Sequence, residues 1–500
     1  MFWLRLLSLG AVLAAVRIPY ALTGHLQDDA MIIFRTAFNL ADHGQLAFNL
    51  GEPTTGVTST AYALMLAALR ATFGSAVFWA IIAVNTLLSV AAAGLFASAL
   101  EQGSRRLLLW AAVAVLPVSL LVSYSGMETA LLLLALGLAA YGVTYAKTSR
   151  MLTVAVFILP LVRGDAAGFA LLFIAACFLV ERRRAFEGLV AFALTVAMVA
   201  GANMLLTGTP VPQTAIAKEL SYRPDRSLAG FLDQLEALFL SDSYLLPFST
   251  KYVHFLGPVA TAVSLLAALL ALRLVWRDVA RRSTVLALIG GAYLVPVAYA
   301  AGGVIFPWYL WPSTLSASLL TLFMAFEFAG RLAGPLRQLA AVGIAGVLVA
   351  AALGQWAISY NVGHQESEYR AGVGRYLFSV ARSGDTLFLE PAGHIPFEAG
   401  LKTWDEVGLV SGDVLELKRA GHADWWIRFV RQMRPTWLVQ RSPLLDDKLT
   451  HEGHALSVED WVWLQQNYEV VRRFTYAPEG WLLSLGSHSG YDVLRRRAAD

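Results

Sequence analysis

Long apolar blocks recur through the first 358 residues, and they constrain the fold of this chain more than any other feature. A helix needs about 20 residues to cross a hydrocarbon core of about 30 Å. Only 15% of the residues are charged, against about 25% in an average soluble domain. The charges gather between the blocks. The sequence therefore predicts a polytopic α-helical membrane protein, with a lipid bilayer as its first partner.

We place eleven membrane-spanning helices in this region. The first is taken as uncleaved, because no small-residue cleavage site precedes the polar residues that follow it. The predicted spans are 2–22, 75–100, 107–122, 127–146, 151–162, 165–180, 185–206, 252–275, 283–301, 306–328 and 338–358.

The short loops test this threading, because cytoplasmic loops carry an excess of Lys and Arg. With the N-terminus inside, every arginine cluster between spans falls on the cytoplasmic side. The clusters are Arg105–Arg106, Lys147 with Arg150, Arg182–Arg184, Arg277 with Arg281–Arg282, and Arg331 with Arg337. The apolar stretch 58–73 must then not cross, and we interpret it as an interfacial or re-entrant helix. A twelfth span with a weaker charge pattern is the alternative.

Residues 359–500 differ from the rest, since charged residues and tryptophans mix and no stretch is long enough to span. Short apolar runs predict strands at Thr386–Leu389, Trp437–Val439 and Trp481–Leu485. Apolar recurrence at three and four residues predicts helices at Glu366–Arg382 and Trp425–Gln432. The sequence thus predicts a membrane domain, 1–358, followed by a small soluble α/β domain on the outer face.

Two global features narrow the function. The net charge of +3 is too small to indicate a nucleic-acid partner. The only cysteine, Cys177, lies in an apolar block and allows no intramolecular disulfide. Both fit a protein of the cytoplasmic membrane.

An acid pair, Asp28 and Asp29, follows the first span directly. Acids at the membrane boundary are expensive to hold and are functional candidates by default. The alternative is that both merely favour the N-terminus of the next helix, 30–42, where negative charge is stabilising.

Four motifs of the membrane domain, taken in order, resemble bacterial GT-C glycosyltransferases. The run DDAMIIFRTAFNLADHGQLAFNLGEPTTGVTSTAY, which starts at Asp28, is similar to the signature outer loop of that family. The other three are SGMETAL from Ser125, LVRGDAAG from Leu161 and TGTPVPQTAIAK from Thr207. The pattern is closest to the subfamily that contains the mycobacterial terminal arabinofuranosyltransferase. All four motifs fall on the outer face of the topology drawn from charge alone.

The resemblance implies a GT-C-like fold and an enzyme of the bacterial cytoplasmic (inner) membrane. Such an enzyme moves a hexose or pentose from a polyprenyl phosphate to an envelope glycan, glycolipid or protein. A single direct displacement is expected to invert the anomeric centre of the sugar. A positioned carboxylate must accept the proton of the acceptor hydroxyl. Asp28 and Asp29 are the candidates, and Asp28 is preferred because the first acid matches the family's catalytic one.

The leaving phosphate needs a cation or a metal ion. Lys218 matches the family lysine and is our first candidate, with Arg163 the second. Expected substrate contacts are Glu128, Arg35, Asp165, Gln213 and Tyr309. No cofactor is certain; a divalent metal ion, if one binds, would take Asp28, Asp29 and Glu128 as ligands.

Each candidate also has a purely structural interpretation. Glu128 would be a first-turn acid facing headgroups, and Lys218 an interfacial lysine whose stem lies along apolar surface. Arg163 and Asp165 would simply pair with each other. The aromatic stretch Ala301–Pro312 would be an interfacial belt instead of a wall for the lipid carrier.

The outer domain offers a set of residues for a glycan-binding face, with a buried core as the alternative. The set is His394, Trp404, Asp405, His422, Trp425 and Trp426. For the whole chain, the competing class is a transporter or flippase of lipid-linked substrates, which typically shows internal repeats and broken helices. No internal repeat is evident in this sequence. Departures from the family pattern, such as Met31 and Gly164, leave the identity of the sugar open.

Overall fold

The computed structural model describes residues 2–52, 56–241, 244–245, 256–303, 305–441, 450–451, 454–476 and 490–498. Within these ranges the side chains of 2–6, 450–451 and 454–455 are not described. The predicted strand Trp481–Leu485 lies outside the described residues, as does the Thr54–Thr55 part of the first outer loop.

The membrane region is built from helices alone among the described residues. They are α1 Phe2–Ala15, α2 Ile18–Ala21, α3 Asp28–His43, α4 Thr60–Phe73, α5 Val77–Leu100, α6 Gly103–Ala114, α7 Pro117–Tyr124, α8 Thr129–Thr144, α9 Met151–Val162, α10 Ala167–Phe178, α11 Arg182–Thr207, α12 Gln213–Tyr222, α13 Leu228–Glu236, α14 Gly257–Leu274, α15 Val279–Ile289, α16 Val295–Gly302, α17 Pro307–Arg331 and α18 Gly334–Gly363. A π-helical turn, Gly290–Leu294, joins α15 to α16.

Each of the eleven predicted spans coincides with one or more of these helices. Within the described residues, six helices are long and apolar enough to cross a bilayer, or seven if the bent pair α6–α7 is one span. Shorter apolar helices occupy Leu7–Ala21, Thr129–Thr144, Met151–Val162 and Gly164–Phe178. The predicted class, a multi-helix membrane protein, is confirmed, whereas the number of spans stays a prediction.

One predicted span, 107–122, is not a single helix. It is divided into α6 and α7, whose axes differ by 60°. Pro117, at the start of α7, has no N–H to continue the helical ladder. The guanidinium of Arg17 donates to the carbonyl of Ala114 at 2.7 Å, so this carbonyl at the helix break has a hydrogen-bond partner inside the protein.

The apolar stretch 58–73 forms α4, which folds back along α5. The Asn85 amide donates to the Tyr62 hydroxyl at 2.9 Å although the two residues are 23 positions apart. One straight helix would separate them by about 34 Å, so the chain reverses near Gly74, where φ is +54°. The 14 residues of α4 are fewer than a span needs. Whether α4 crosses the bilayer stays a prediction.

Among its described residues, the outer domain adds five helices and seven strands. They are α19 Ala371–Val380, β1 Thr386–Leu389, α20 His394–Ala399, β2 Lys402–Asp405, α21 Gly412–Arg419, α22 Trp425–Met433, β3 Trp437–Arg441, β4 Thr450–His451, β5 His454–Ala455, α23 Val458–Asn467, β6 Tyr468–Phe474 and β7 Tyr491–Arg496. The predicted strands β1 and Trp437–Val439 and the helix Trp425–Gln432 are confirmed.

The main sheet has the order β2-β1-β3-β7-β6. Strands β2, β1 and β3 run parallel to one another, and β7 runs antiparallel to both of its neighbours, β3 and β6. Apolar residues of β1, β3 and β7 alternate between two cores, one on each face of the sheet. The carboxyl ends of β1 and β2 lead into loops that contact the membrane domain.

The two predicted domains share one helical rod. Helix α18 continues through a π-helical segment, His364–Arg370, into α19, so that Gly334–Val380 forms 47 residues of unbroken helix. Its length is about 70 Å. The predicted boundary at 358/359 falls inside this rod, and the division into domains stays a prediction.

Candidate active site

The acid pair opens α3, and its two members have different surroundings. Asp28 accepts hydrogen bonds from the backbone N–H groups of Gly393 at 3.0 Å and His394 at 2.9 Å. Its Oδ1 also lies 3.8 Å from Nη1 of Arg370. A Cβ at Gly393 would come within 2.1 Å of the Asp28 carbonyl oxygen, so only glycine fits. The Asp28 carboxylate therefore links the outer domain to the membrane domain through hydrogen bonds.

Asp29 is partly buried, and no hydrogen bond from a described residue reaches its carboxylate. Burial raises the pKa of Asp29 to about 6. Lys218 is the charged group that acts on it most strongly and lowers its pKa, while Asp28 and Glu128 raise it. Asp29 is thus the acid of the pair whose charge interacts with that of the lysine.

Lys218 lies on α12, opposite an aromatic wall. Its ammonium donates to the Tyr309 hydroxyl at 2.6 Å and lies 5.0 Å from the centre of the Phe306 ring. Phe306 in turn stacks on Trp308, with ring centres 4.9 Å apart. No described carboxylate lies within 4.0 Å of this ammonium, so its charge is left for an anion from outside. The aromatic stretch around 306–309 therefore lines the lysine instead of serving only as an interfacial belt.

Arg163 and Asp165 pair with each other, as their structural interpretation predicted. The Arg163 Nε donates to Asp165 Oδ1 at 2.9 Å, and Nη2 donates to Oδ2. Its Nη1 donates to the Trp308 carbonyl at 3.2 Å, and the Tyr299 hydroxyl donates to Asp165 at 2.7 Å. Both groups are thus engaged within the protein, and their expected roles as phosphate ligand and substrate ligand stay predictions.

Glu128 is the N-cap residue of α8 and is 3% exposed. Its Oε1 lies 3.7 Å from Arg163 Nε, and its Oε2 is buried with no hydrogen-bond partner among the described residues. Burial contradicts the interpretation as an acid facing headgroups. A buried acceptor without a partner is costly, which suits an oxygen that receives a substrate hydroxyl.

The metal site considered for Asp28, Asp29 and Glu128 does not fit this geometry. In the described part of the chain, no three His, Cys, Asp or Glu side chains are grouped so that they could hold a metal ion. The Asp28 oxygens are occupied by two backbone N–H groups. We therefore derive no step through a metal ion bound by these three residues.

Two expected substrate ligands, Arg35 and Gln213, instead hold the domains together. Arg35 donates to the carbonyls of Phe48, Pro396 and Leu401 at 2.7–2.8 Å, and to Asn49 Oδ1 at 3.3 Å. The Gln213 amide donates to the carbonyls of Gly408 and Leu409 at 3.3 and 3.4 Å. Their expected roles as substrate ligands stay predictions, because a motif shows that a polar residue is present but not which surface it faces.

The glycan-binding face suggested for the outer domain is wrong. Trp404, Trp425 and Trp426 are at most 5% exposed and belong to its apolar core. Asp405 is buried and accepts hydrogen bonds from three successive backbone N–H groups, those of 408–410. Of the six residues proposed, only His422 is exposed.

Sequence reasoning missed Arg370 and Glu366, in the π-helical segment. The Arg370 Nη1 donates to both Glu366 oxygens at 2.7 Å, and its Nε donates to the Tyr491 hydroxyl at 3.1 Å. The pair sits beside Asp28. The sequence signal for this pair was an acid four residues before an arginine on a helix that continues a span. This spacing brings the two side chains together on one face of a helix. π-helical turns often mark functional positions.

Comparison with solved structures identifies the architecture. ArnT from Cupriavidus metallidurans, bound to undecaprenyl phosphate, superposes with a TM-score of 0.52 at 12% identity, covering 98% of this chain and 97% of that one. The chain has a GT-C fold. The archaeal oligosaccharyltransferase AglB from Archaeoglobus fulgidus, in complex with an inhibitory peptide and a dolichol-phosphate, also matches at a TM-score of 0.52 and 12% identity. The match with AglB covers 87% of this chain and 69% of AglB.

Comparison with protein-family models gives one match, in the C-terminal part of the chain. Residues 357–493 match a family model described as a domain of unknown function, DUF8728. No curated protein matches the chain. The GT-C fold expected from the motifs is confirmed, whereas membership of the subfamily with the mycobacterial arabinofuranosyltransferase stays a prediction.

Proposed function

We propose that this GT-C protein is a glycosyltransferase that moves a sugar from a polyprenyl-phosphate donor to an envelope glycan, glycolipid or protein. The observation that carries the proposal is a pair of interacting groups. Asp29 accepts no hydrogen bond from a described residue, and Lys218 has no described carboxylate within 4.0 Å. Transfer from a lipid phosphate needs both groups. ArnT and AglB, which share the fold, were crystallised with undecaprenyl phosphate and dolichol-phosphate respectively.

Asp29 is the proposed general base, in place of the expected Asp28. A base must have an oxygen that can take the proton of the acceptor hydroxyl. Both Asp28 oxygens accept N–H groups of the outer domain, whereas no N–H group of a described residue donates to Asp29. As the proton moves to Asp29, the hydroxyl oxygen bonds to the anomeric carbon. The bond from that carbon to the phosphate oxygen breaks, and its electrons leave with the phosphate.

Lys218 stabilises the negative charge that develops on the departing phosphate. A fixed ammonium at a water-poor boundary is worth more than one in bulk water. Phe306 and Tyr309 hold it in place. Glu128 receives a hydroxyl of the sugar through its buried Oε2, and Arg163 with Asp165 keeps Glu128 in position. A single displacement of this kind inverts the anomeric centre.

We further propose that this cleft and the outer domain lie on the outer face of a bacterial cytoplasmic membrane. The arginine clusters of the short loops support this orientation. The motifs that supply Asp29, Glu128 and Lys218 then open on one side of the bilayer.

The test measures sugar transfer by the full chain in liposomes. It supplies radiolabelled polyprenyl-phosphate hexoses and pentoses and an envelope extract as acceptor. Asp29→Asn is expected to lower transfer by about 10²–10⁴-fold, the usual contribution of a general base. Lys218→Ala is expected to lower it by about 10²–10³-fold, and Lys218→Arg to restore part of the loss.

Asp28→Asn is the matched control, because it changes the neighbouring acid in the same way. It is expected to reduce the amount of folded protein more than the rate per folded molecule. Equal transfer by wild type and Asp29→Asn would show that Asp29 is not the base. If labelled donor crossed the bilayer chemically unchanged and no sugar were transferred, the protein would be a flippase instead.

A further inference from the structure

A groove of about 750 Å³ lies at one edge of the outer domain, and none of the candidate site residues described above lines it. Its described walls include Arg434, Arg495, Arg496, Arg497, Trp463 and Asn467. They come from the end of α22, the end of α23 and the last residues of β7. Pockets of 300–1,000 Å³ are typical of small-molecule sites, so the groove has room for a few sugar units.

The arginines are held by ordered backbone and do not belong to a loose tail. The Arg496 N–H donates to the Thr436 carbonyl at 2.9 Å, and the Arg497 N–H donates to the Asn467 carbonyl at 2.8 Å. Arg495 pairs with Trp437 across the sheet, with its guanidinium 5.4 Å from the centre of that ring. The sheet therefore fixes the backbone positions of these arginines.

Charge in the groove is strongly unbalanced. Four arginines face it, and Glu469 is the one carboxylate among its described lining residues. Glu469 lies 3.5 Å from Arg497 Nη1 and its side chain is 47% exposed, so it neutralises part of one arginine. Clefts lined by one sign of charge concentrate ligands of the other sign. Guanidinium groups bind carboxylate and phosphate through two parallel hydrogen bonds.

The groove lies at the end of the sheet opposite to the contacts with the membrane domain. It lies where β3 and β6 begin and β7 ends, as the pairs Trp437–Arg495 and Tyr468–Arg496 show. The opposite edge of the sheet, after β1 and β2, contacts the membrane domain through Gly393 and Gly408.

We propose that this arginine groove binds an anionic polysaccharide, one that carries carboxylate or phosphate groups along its chain. Sugar units are accommodated beside Trp463, which is partly exposed, and the acidic substituents bind the arginines. The proposal goes beyond sugar transfer, since binding at this edge needs neither Asp29 nor Lys218.

The test measures binding to the full chain in nanodiscs of uncharged lipid, by isothermal titration. The probes are a hexagalacturonate, its fully methyl-esterified form, which has the same chain without charge, and a glycerol-phosphate oligomer. We expect the two anionic probes to bind with an affinity that falls as salt rises. The neutral ester is expected not to bind.

Variants locate the binding. Arg434→Gln together with Arg495→Gln is expected to weaken hexagalacturonate about tenfold. Arg375→Gln together with Arg382→Gln removes the same charge from exposed positions outside the groove and is expected to leave the affinity unchanged. Asp29→Asn is expected to bind like wild type, so loss of transfer and loss of binding are distinguishable.

Three outcomes would overturn the proposal. The first is equal binding of the charged and esterified probes. The second is equal weakening by the groove and control variants, which would indicate a general charge effect. The third is binding of an acidic peptide in the groove with no binding of either anionic glycan probe, which would make it a protein-binding site.

Discussion

Adjacent residues on a helix point about 100° apart, and this geometry separates the roles of Asp28 and Asp29. The first acid turns toward the outer domain and accepts two N–H groups there. The second turns toward Lys218 and Glu128. Two acids that are equivalent in the sequence therefore have different surroundings in the fold. Asp28 links the two domains, and Asp29 is the base that we propose.

The pH dependence of transfer follows from Asp29. Because burial raises its pKa to about 6, its basic form dominates only above that pH. The rate is expected to fall about tenfold per pH unit below pH 6. Lys218→Gln removes the charge that lowers this pKa, so the acid limb is expected to move to higher pH. Lys402→Gln, which removes an exposed lysine paired with Glu52, is the control for net charge.

The measurement is the pH profile of initial rates under saturating donor, normalised to the maximum of each variant. An acid limb near pH 4 in the wild type would contradict the burial of Asp29. So would a limb that Lys218→Gln leaves in place.

At the scale of elements, two breaks in helices meet at one buried arginine. Arg17 is 2% exposed and lies between α1 and α2. It donates to the Leu13 carbonyl at 2.6 Å, to the Ala114 carbonyl at 2.7 Å and to Ser123 Oγ at 2.8 Å. These acceptors come from α1, α6 and α7. One side chain thus satisfies carbonyls that two interrupted helices expose in an apolar region.

Arg17→Met is expected to destabilise the protein by about 3 kcal/mol, because each buried acceptor left without a donor costs about 1–3 kcal/mol. Thermal unfolding of the detergent-solubilised chain measures the effect. Ser123→Ala, which removes one acceptor of Arg17 and leaves both carbonyls bonded, is expected to cost about 1 kcal/mol. Equal stability of Arg17→Met and wild type would show that the breaks do not depend on the guanidinium.

At the scale of the whole molecule, the outer domain is joined to the membrane domain twice. The rod Gly334–Val380 joins them covalently. The segment 28–49 joins them again through Asp28, Arg35 and Asn49. The Asn49 amide donates to the Thr403 carbonyl at 2.8 Å. Together the two connections hold the outer domain against the segment 28–49.

Arg35→Ala is expected to loosen this joint, since it leaves carbonyls of Phe48, Pro396 and Leu401 without their donor. Hydrogen exchange at 393–405 is expected to accelerate, and the unfolding free energy to fall by about 2 kcal/mol or more. Arg70→Ala is the control, because Arg70 makes an ion pair with the exposed Asp42 on the same loop and such pairs are worth about 0–1 kcal/mol. Unchanged exchange in Arg35→Ala would contradict the role of Arg35.

The sequence determined the features that depend on local pattern. Apolar blocks predicted the helices of the membrane region, and short alternating elements predicted β1, β3 and α22. Four motifs predicted the GT-C fold and named Lys218, Glu128 and the acid pair. Each of these signals is contained in a short stretch of chain, because burial in lipid and helix periodicity act on neighbouring residues.

Only the tertiary structure decided which polar residues face the cleft. The bonds that occupy Asp28 and Arg35 join residues 361–366 positions apart, and nothing in a motif specifies such partners. The tryptophans of the outer domain were equally ambiguous, since an aromatic side chain serves a core or a binding face equally well until its neighbours are known. Charge and polarity are properties of a residue, but their function is set by what the fold brings into contact with them.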